Sequence, residues 1–573
     1  MSTPVLINEL IFWTIFIFLN GIHYLINYIF NIHNSSFWPF ISDYKSIRQL
    51  GISFSVNQDI FRYVVEISLF LILSRMIDLS ILSVPFIIFY FLILLFNLYQ
   101  YSFRKIYEYE PNFYNDSKLI KSGIAIVWHE SKWKVIFYGV LAILGIIGFS
   151  FGIITYLEFA QKTPPNFLFY VFLSFWAFPL FRVVQKKRFY INYPIDLYLR
   201  YHFATIEIIE NMKRSLVNRK IYKKKIGKEF YEKRKVIDFD LQENPPNIHF
   251  IFIESYGAYF FKEATLALKS HEKFNNFSDG LKEKGWQSRS NFSVSPTTGG
   301  QSWLTYSSFL FGLKMGSNTY FENYLTDPYF NKSNSLLRIL KNLGYKNYNL
   351  NPINPIKGIN VPYDEMKDFY SIDKWILNDI LNYKGDVFGF GECPPDQYAM
   401  NYTMELIKKE KQEPYTFFYL TKNSHTPFIS PKMVEDWRSL NHSNGSTHIH
   451  RGFLKAPEKE DYFDSICYQF ENIGRFILDH GQDNDIFYLI GDHQPPVLSE
   501  PEKYGFFTPT HVISKNSDFL KEFESFGFQE DIGKCENTVK HEGIYSIFLR
   551  AFMKNYGKNF DQLPDYEPDG LQI

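Results

Sequence analysis

Three cysteines in 573 residues, Cys393, Cys467 and Cys535, are too few and too far apart for a disulfide framework, and the lack of any CxxC spacing excludes a zinc knuckle. Charge of one sign is also missing. The 60 basic residues balance 60 acidic ones, no compact basic and aromatic module stands out, and nucleic acid is therefore not an expected partner. No internal repeat or low-complexity tract occurs, which excludes solenoid arrays. The first apolar run is too long, too aromatic and too poor in small residues to be a cleaved leader, so it reads as a retained anchor.

What the chain does have is apolar material, 46% hydrophobic and 19% aromatic, spread unevenly. Residues 7–30, 61–79, 81–101, 135–157 and 167–184 form five apolar runs, each near the length that crosses a hydrocarbon core of about 30 Å. The second is interrupted by Glu66, Arg75 and Asp78, charges that are costly in lipid unless paired or facing a cavity, and it could instead lie at the interface. Residues 1–190 are thus expected to form a transmembrane domain of about five helices. Residues 191–245, with Lys223, Lys224, Lys225, Arg234 and Lys235, read as a basic helical linker. Cations flanking the loop between the third and fourth runs (Arg104, Lys105, Lys118, Lys121, Lys132, Lys134) and following the fifth (Arg182, Lys186, Lys187, Arg188) favour the cytoplasmic side for both.

Residues 246–573 alternate between strand and helix patterns. Strands are expected at 248–253, 289–294, 348–351, 415–420 and 485–490, and helices at 262–284, 301–313, 334–343, 396–409 and 462–480. This alternation predicts an α/β domain with a largely parallel or mixed sheet flanked by helices. Sites in such sheets lie beyond the strand C-termini. There the sequence places Glu254, the segment Ser295-Pro296-Thr297-Thr298-Gly299-Gly300, His425, and the pair Asp492-His493. Carboxylate and imidazole ligands beside a hydroxyl suit a divalent cation, Mn²⁺ or Zn²⁺, that activates an alcohol nucleophile. Gly299 and Gly300 let backbone N–H groups approach an oxyanion, and a helix opening near Gln301 turns its positive end toward a phosphate.

At these residues the chain resembles the alkaline phosphatase superfamily, and within it the membrane-anchored sulfatase-like branch of lipoteichoic acid synthases and phosphoethanolamine transferases. The resemblance implies an N-terminal transmembrane helical bundle joined to a C-terminal alkaline phosphatase-like mixed sheet flanked by helices. It implies one divalent metal, Mn²⁺ or Zn²⁺, held by Glu254, Thr297, Asp492 and His493. The nucleophile would be Thr297, favoured because Ser-Pro-Thr precedes Gly-Gly and Ser-Trp-Leu, or Thr298, which the spacing to Trp303 also allows. His425, in Asn423-Ser424-His425-Thr426-Pro427-Phe428, matches the histidine that touches the transferred phosphate. Gly299 and Gly300 would contact substrate, and His511, in Thr508-Pro509-Thr510-His511-Val512-Ile513-Ser514, stands on the following strand where a further metal or substrate ligand could enter. The chain departs from true sulfatases, since Val294 stands two residues before Pro296 and no arginine follows, and it lacks the paired cysteines common in phosphoethanolamine transferases.

The activity so implied moves a phosphoglycerol- or phosphoethanolamine-type head group from a membrane phospholipid donor to an envelope glycan or lipid acceptor through a phospho-threonine intermediate. A phosphodiesterase, phosphatase or sulfatase-like hydrolase on the same site is the alternative within enzymes, and a non-catalytic envelope lipid-binding protein the alternative outside them. The resemblance also implies a multi-pass protein of the inner cell membrane with its catalytic domain outside the cytoplasm. That conflicts with the loop charges, but a domain of this size translocates largely regardless of nearby cations.

Overall fold

The computed structural model describes residues 3–30, 62–107, 110–185, 200–222, 226–234, 238–354, 361–410, 414–442, 446–449, 457–530, 532 and 538–573. Lys186, Lys187, Arg188, Lys223, Lys224, Lys225, Lys235, Cys535 and the expected 190/191 boundary lie outside the described residues. The chain divides into two compact units, one of Met1–Lys105 and Tyr109–Asn218, the other of Ile106–Glu108 and Arg219–Ile573.

In the first unit the apolar runs form helices: α1 (Thr3–Phe30), α2 (Val65–Met76), α3 (Ser83–Tyr107), α4 (Phe113–Lys162) and α5 (Phe167–Gln185), with the more polar α6 (Ala204–Tyr222) after them. Among the described residues three stretches, Pro4–Ile26, Ser80–Tyr107 and Lys132–Lys162, are long and apolar enough to cross a membrane, and Phe167–Phe178 is a shorter apolar helix. α2 has 12 residues, about 18 Å at ~1.5 Å per residue, and falls short of a ~30 Å core. Its charges are all engaged. Arg75 is buried against Glu9, donating from Nη1 to Oε2 at 2.8 Å and from Nη2 to Oε1, while its Nε donates to Thr163 O at 3.0 Å. Glu66 accepts from Thr205 N at 2.8 Å and Ala204 N at 3.3 Å, and Asp78 accepts from Ser80 N at 2.9 Å just past the helix end. The guanidinium also lies over the rings of Phe12 and Phe169, so one side chain joins α1, α2 and the α4–α5 turn inside an aromatic core.

The second unit is built on an eight-stranded sheet. Its strands are β1 (Ile248–Ile253), β2 (Gln287–Val294), β3 (Lys346–Asn351), β4 (Lys374–Leu377), β5 (Tyr415–Leu420), β6 (Ile486–Gly491), β7 (Phe507–Ser514) and β8 (Thr538–Lys540). Their spatial order is β8-β2-β7-β6-β1-β5-β3-β4, and only β7 runs antiparallel to its neighbours. β1, β5 and β6 are apolar on both faces because helices cover both faces. Phe250 and Phe252 enter one core with α8 (Ser302–Phe311) and α11 (His541–Tyr556). Ile251 and Ile253 enter the other with α7 (Ala267–Lys282), α9 (Asp396–Glu410) and α10 (Lys459–His480). The parallel register Gly491↔Ile253 in β6–β1 and Phe252↔Leu420 in β1–β5 brings three strand C-termini to one edge, and β2 points the same way.

The buried Arg75–Glu9 pair generates a prediction for the first unit. Removing one partner of a buried pair strands the other charge and costs about 3–5 kcal/mol, whereas replacing both with apolar groups is near neutral. Arg75→Met should therefore lower the detergent-solubilised protein's thermal stability sharply, and Arg75→Met with Glu9→Met should recover most of the loss.

Candidate metal centre and active site

β1 ends at Ile253, and the chain then turns sharply: Ser255 has φ +60°, a conformation that favours glycine, and its N–H donates to Asp492 Oδ1 at 2.7 Å. Space is as tight on the other strand. A Cβ on Gly491 would lie 1.9 Å from Tyr256 O, and one on Gly257 would lie 2.1 Å from Gln494 Oε1, so the two loops approach only because both positions are glycine. This close packing sets Glu254 beside Asp492 and His493.

One ligand atom from each of these three buried residues lies within 4.8 Å of the other two. His493 Nε2 is 3.4 Å from Glu254 Oε1 and 3.3 Å from Asp492 Oδ2. The ring's other nitrogen, Nδ1, donates to Gln494 O at 2.8 Å, which leaves Nε2 with its lone pair turned to the carboxylates. Asp492 Oδ1 accepts two backbone N–H groups, from Ser255 and His493, each at 2.7 Å, while the buried Oδ2 has no hydrogen-bond partner among the described residues. Such an arrangement fits a cation: an orphaned carboxylate oxygen, a second carboxylate and an oriented imidazole converge on one point, with backbone hydrogen bonds fixing the ligands from behind. Burial pushes the Asp492 carboxyl well above the ordinary carboxylate range, and the charge of Glu254 pushes it further. Burial acts on Glu254 in the same sense but is outweighed by His425, His493 and Lys422, which hold it below that range.

Of the two hydroxyls that meet this group among the described residues, Ser255 Oγ donates to Glu254 Oε1 at 3.0 Å, and the other belongs to Ser302. Its Oγ donates to Glu254 Oε2 at 3.2 Å and is 3.4 Å from His493 Nε2. Thr297, the expected ligand and nucleophile, is held otherwise: its Oγ1 donates to Gly300 O at 2.9 Å and its N–H to Ser295 Oγ at 3.3 Å. The reason is the turn. Gly299 (φ +70°), Gly300 (φ +148°) and Gln301 (φ +62°) reverse the chain so that α8 opens on Ser302 at the ligands, while Thr297 and Thr298 stay in the loop before it. Ser295 and Thr305 flank this turn and donate to Asp492 O at 2.6 and 3.1 Å. A serine in the first turn of an apolar helix was the only sequence signal for this position.

His425 sits in the turn after β5. Thr421 Oγ1 accepts from Glu254 N at 3.1 Å and Ser424 Oγ donates to Glu254 O at 2.7 Å, so the same turn grips the ligand strand and carries the histidine. The imidazole stacks on Phe390, ring centroids 4.7 Å apart, and its Nδ1 lies 2.7 Å from Thr426 O. His511 is elsewhere. It stands in the middle of β7, paired in register with Leu489 and Ser290, with Nδ1 2.8 Å from Ser290 Oγ and Nε2 3.1 Å from Tyr256 OH. Burial lowers its pKa to about 3, which keeps it a neutral partner inside the sheet, and the structure does not bring it to the ligand group.

No family model and no curated protein matches the chain. Solved structures do. It is similar to the integral membrane lipooligosaccharide phosphoethanolamine transferase A of Neisseria meningitidis, with 12% identity over 93% of this chain and 95% of that one and a TM-score of 0.40. It is also similar to the lipoteichoic acid synthase LtaP of Listeria monocytogenes, at 14% identity, 61% and 80% coverage and a TM-score of 0.38. A third similar structure is a protein of the alkaline phosphatase superfamily from Vibrio parahaemolyticus, at 14% identity, 57% and 73% coverage and a TM-score of 0.35. What the site can do follows from its own atoms.

A divalent cation binds the ionised form of Asp492, whose carboxyl holds its proton to unusually high pH in the metal-free protein. Binding must therefore release a proton below that raised pKa, and apparent affinity must climb with pH and flatten above it. Calorimetric titration with Zn²⁺ or Mn²⁺ in buffers of different ionisation enthalpy is expected to show this release. Asp492→Asn should abolish it and weaken binding beyond the roughly 10–100-fold typical of losing an outer-shell partner.

Proposed function

We propose that this chain is a metal-dependent membrane transferase that moves a phospho-head group, of phosphoglycerol or phosphoethanolamine type, from a phospholipid to an envelope acceptor through a phospho-serine intermediate on Ser302. The observation that carries the reading is the position of Ser302 Oγ, 3.2 Å from Glu254 Oε2 and 3.4 Å from His493 Nε2, at a cluster fit for one cation. Ser302 takes the role expected of Thr297 or Thr298. Either Mn²⁺ or Zn²⁺ fits the mixed carboxylate and imidazole set, with Glu254, Asp492 and His493 as the residues that would hold it.

When bound, the cation supplies Lewis-acid charge stabilisation and eases deprotonation of a neighbouring hydroxyl. Ser302 Oγ then forms a bond to the donor phosphorus as the bond from phosphorus to the diacylglycerol oxygen breaks. His425 donates its Nδ1–H to Thr426 O, so Nε2 takes up the proton that Ser302 Oγ loses and passes it to the leaving diacylglycerol oxygen, and in the second displacement it carries the acceptor's proton back to Ser302 Oγ. In the second displacement the acceptor's hydroxyl or amine attacks the phosphorus, gives up its proton, and releases Ser302. Gly299 and Gly300 shape the loop before the nucleophile in both steps. The apolar helices support placement of this chemistry at a membrane, with 1–190 as a multi-pass membrane domain, 191–245 as linker and 246–573 as an extracytoplasmic catalytic domain of the inner membrane.

Ser302→Ala is expected to reduce head-group transfer by on the order of 10³-fold or more, as loss of a covalent nucleophile does. Thr297→Ala and Thr298→Ala should each keep activity within about tenfold of wild type, since a rearranged loop costs far less than a missing nucleophile. Labelled phosphatidylglycerol or phosphatidylethanolamine, followed by mass spectrometry of the peptide around Ser302, reads both activity and adduct. An adduct on Thr297 or Thr298 would contradict the assignment. Release of the head group to water alone would make the enzyme a hydrolase.

A further inference from the structure

Among the buried carboxylates outside the cation cluster is Asp396. It opens α9 and is fully buried. Its Oδ1 accepts from the Tyr419 hydroxyl and, at 3.0 Å, from Lys422 N; its Oδ2 accepts from Lys422 N at 3.1 Å, Asn423 N at 2.9 Å and Gln469 Nε2 at 2.6 Å. In return the Asp396 N–H donates to Asn423 Oδ1 at 2.6 Å. Every one of these partners donates to the carboxylate, so an amide in its place would turn an NH₂ group against N–H donors. Taking an ionised carboxylate out of water costs several kcal/mol unless such bonds offset it, a large outlay for a mere loop fastening.

The turn it grips carries three groups that serve the site. Lys422 to His425 close on themselves through His425 N donating to Lys422 O at 3.1 Å. Thr421 and Ser424 bind the backbone of Glu254 on either side, and His425 follows directly. Phe390 bounds the imidazole on one ring face. The turn is therefore held by Asp396 at one end, by Glu254 in the middle, and by an aromatic ring at its tip.

We propose that Asp396 is a positioning residue that sets the Lys422–His425 turn, and with it His425, against the phosphate to be transferred. It touches neither cation nor substrate and acts through the backbone N–H groups of Lys422 and Asn423. Both the role of His425 in turnover and its placement against a phosphate rest on the transferase reading, whereas the hold of Asp396 on the turn does not.

The test uses the full-length, zinc-loaded protein in detergent, with inorganic phosphate as probe and head-group turnover measured in parallel. Asp396→Asn should keep zinc affinity within about threefold of wild type, because no cation ligand is changed, and weaken phosphate binding about tenfold, as His425→Gln does. The double variant should bind phosphate no more than about twofold worse than His425→Gln alone, since both changes remove one effect. Turnover should fall mainly in kcat. Multiplying losses in the double variant, or wild-type phosphate affinity in Asp396→Asn, would overturn the proposal. If Asp396→Asn does not fold, Asn423→Ala, which removes only the return bond, should weaken phosphate binding in the same direction by a smaller factor, and wild-type affinity there would overturn it equally. A wild-type protein that binds phosphate but transfers no head group would sink the transferase reading and leave this cycle readable.

Discussion

Two carboxylates and an imidazole lone pair brought within 4.8 Å of one another in a buried space are the constraint on which this domain turns. Like charges about 4 Å apart repel by about 4 kcal/mol at an effective dielectric near 20, and burial adds a desolvation cost to each. A cation among Glu254, Asp492 and His493 would relieve that cost, as retention of the Asp492 proton does in the metal-free protein. The surroundings serve that end. Backbone N–H groups of Ser255 and His493 fix Asp492, the Gln494 carbonyl fixes the imidazole, and two glycines remove the side chains that would keep the loops apart.

The sheet converts distant sequence into this arrangement. Glu254 and Asp492 are separated by more than two hundred residues, yet β1 and β6 are parallel neighbours in register, so their C-terminal residues emerge side by side. β5 on the far side of β1 brings the His425 turn, and β2 brings the loop that leads into Ser302. Catalytic potential thus arises from strand order. The cores on both faces hold that order rigid, with α8 and α11 packed on one and α7, α9 and α10 on the other.

The convergence on one edge was legible because β1, β5 and β6 are buried on both faces and read as largely apolar runs, interrupted by His249 and Thr416, followed by polar residues. Ser302 was not legible. The threonines beside two glycines stood out in the sequence, and the positive φ angles at Gly299, Gly300 and Gln301 turn the chain so that Ser302, five residues beyond Thr297, lies against Glu254 and His493. β7 was expected as the strand after β6, but its interior place was hidden: Thr508, Pro509, Thr510 and His511 give it a polar appearance, and Pro509 argues against a central strand. Thr508 and His511 are satisfied by side chains of β2, α11 and the Tyr256 loop, a network that no local pattern announces. In the first unit the apolar run at 61–79 looked long enough to span, whereas α2 covers Val65–Met76, and Arg75 near its end is paired with Glu9, a partner that lies in another helix.

The central claim is that one divalent cation sits among Glu254, Asp492 and His493 with Ser302 as the adjoining hydroxyl. Anomalous diffraction from crystals of the zinc-loaded protein tests it most directly. A single strong peak is expected within about 2.0–2.2 Å of a carboxylate oxygen from Glu254, a carboxylate oxygen from Asp492 and Nε2 of His493, with Ser302 Oγ facing the ion. A peak coordinated by Thr297, by His511, or by residues outside this trio would contradict it.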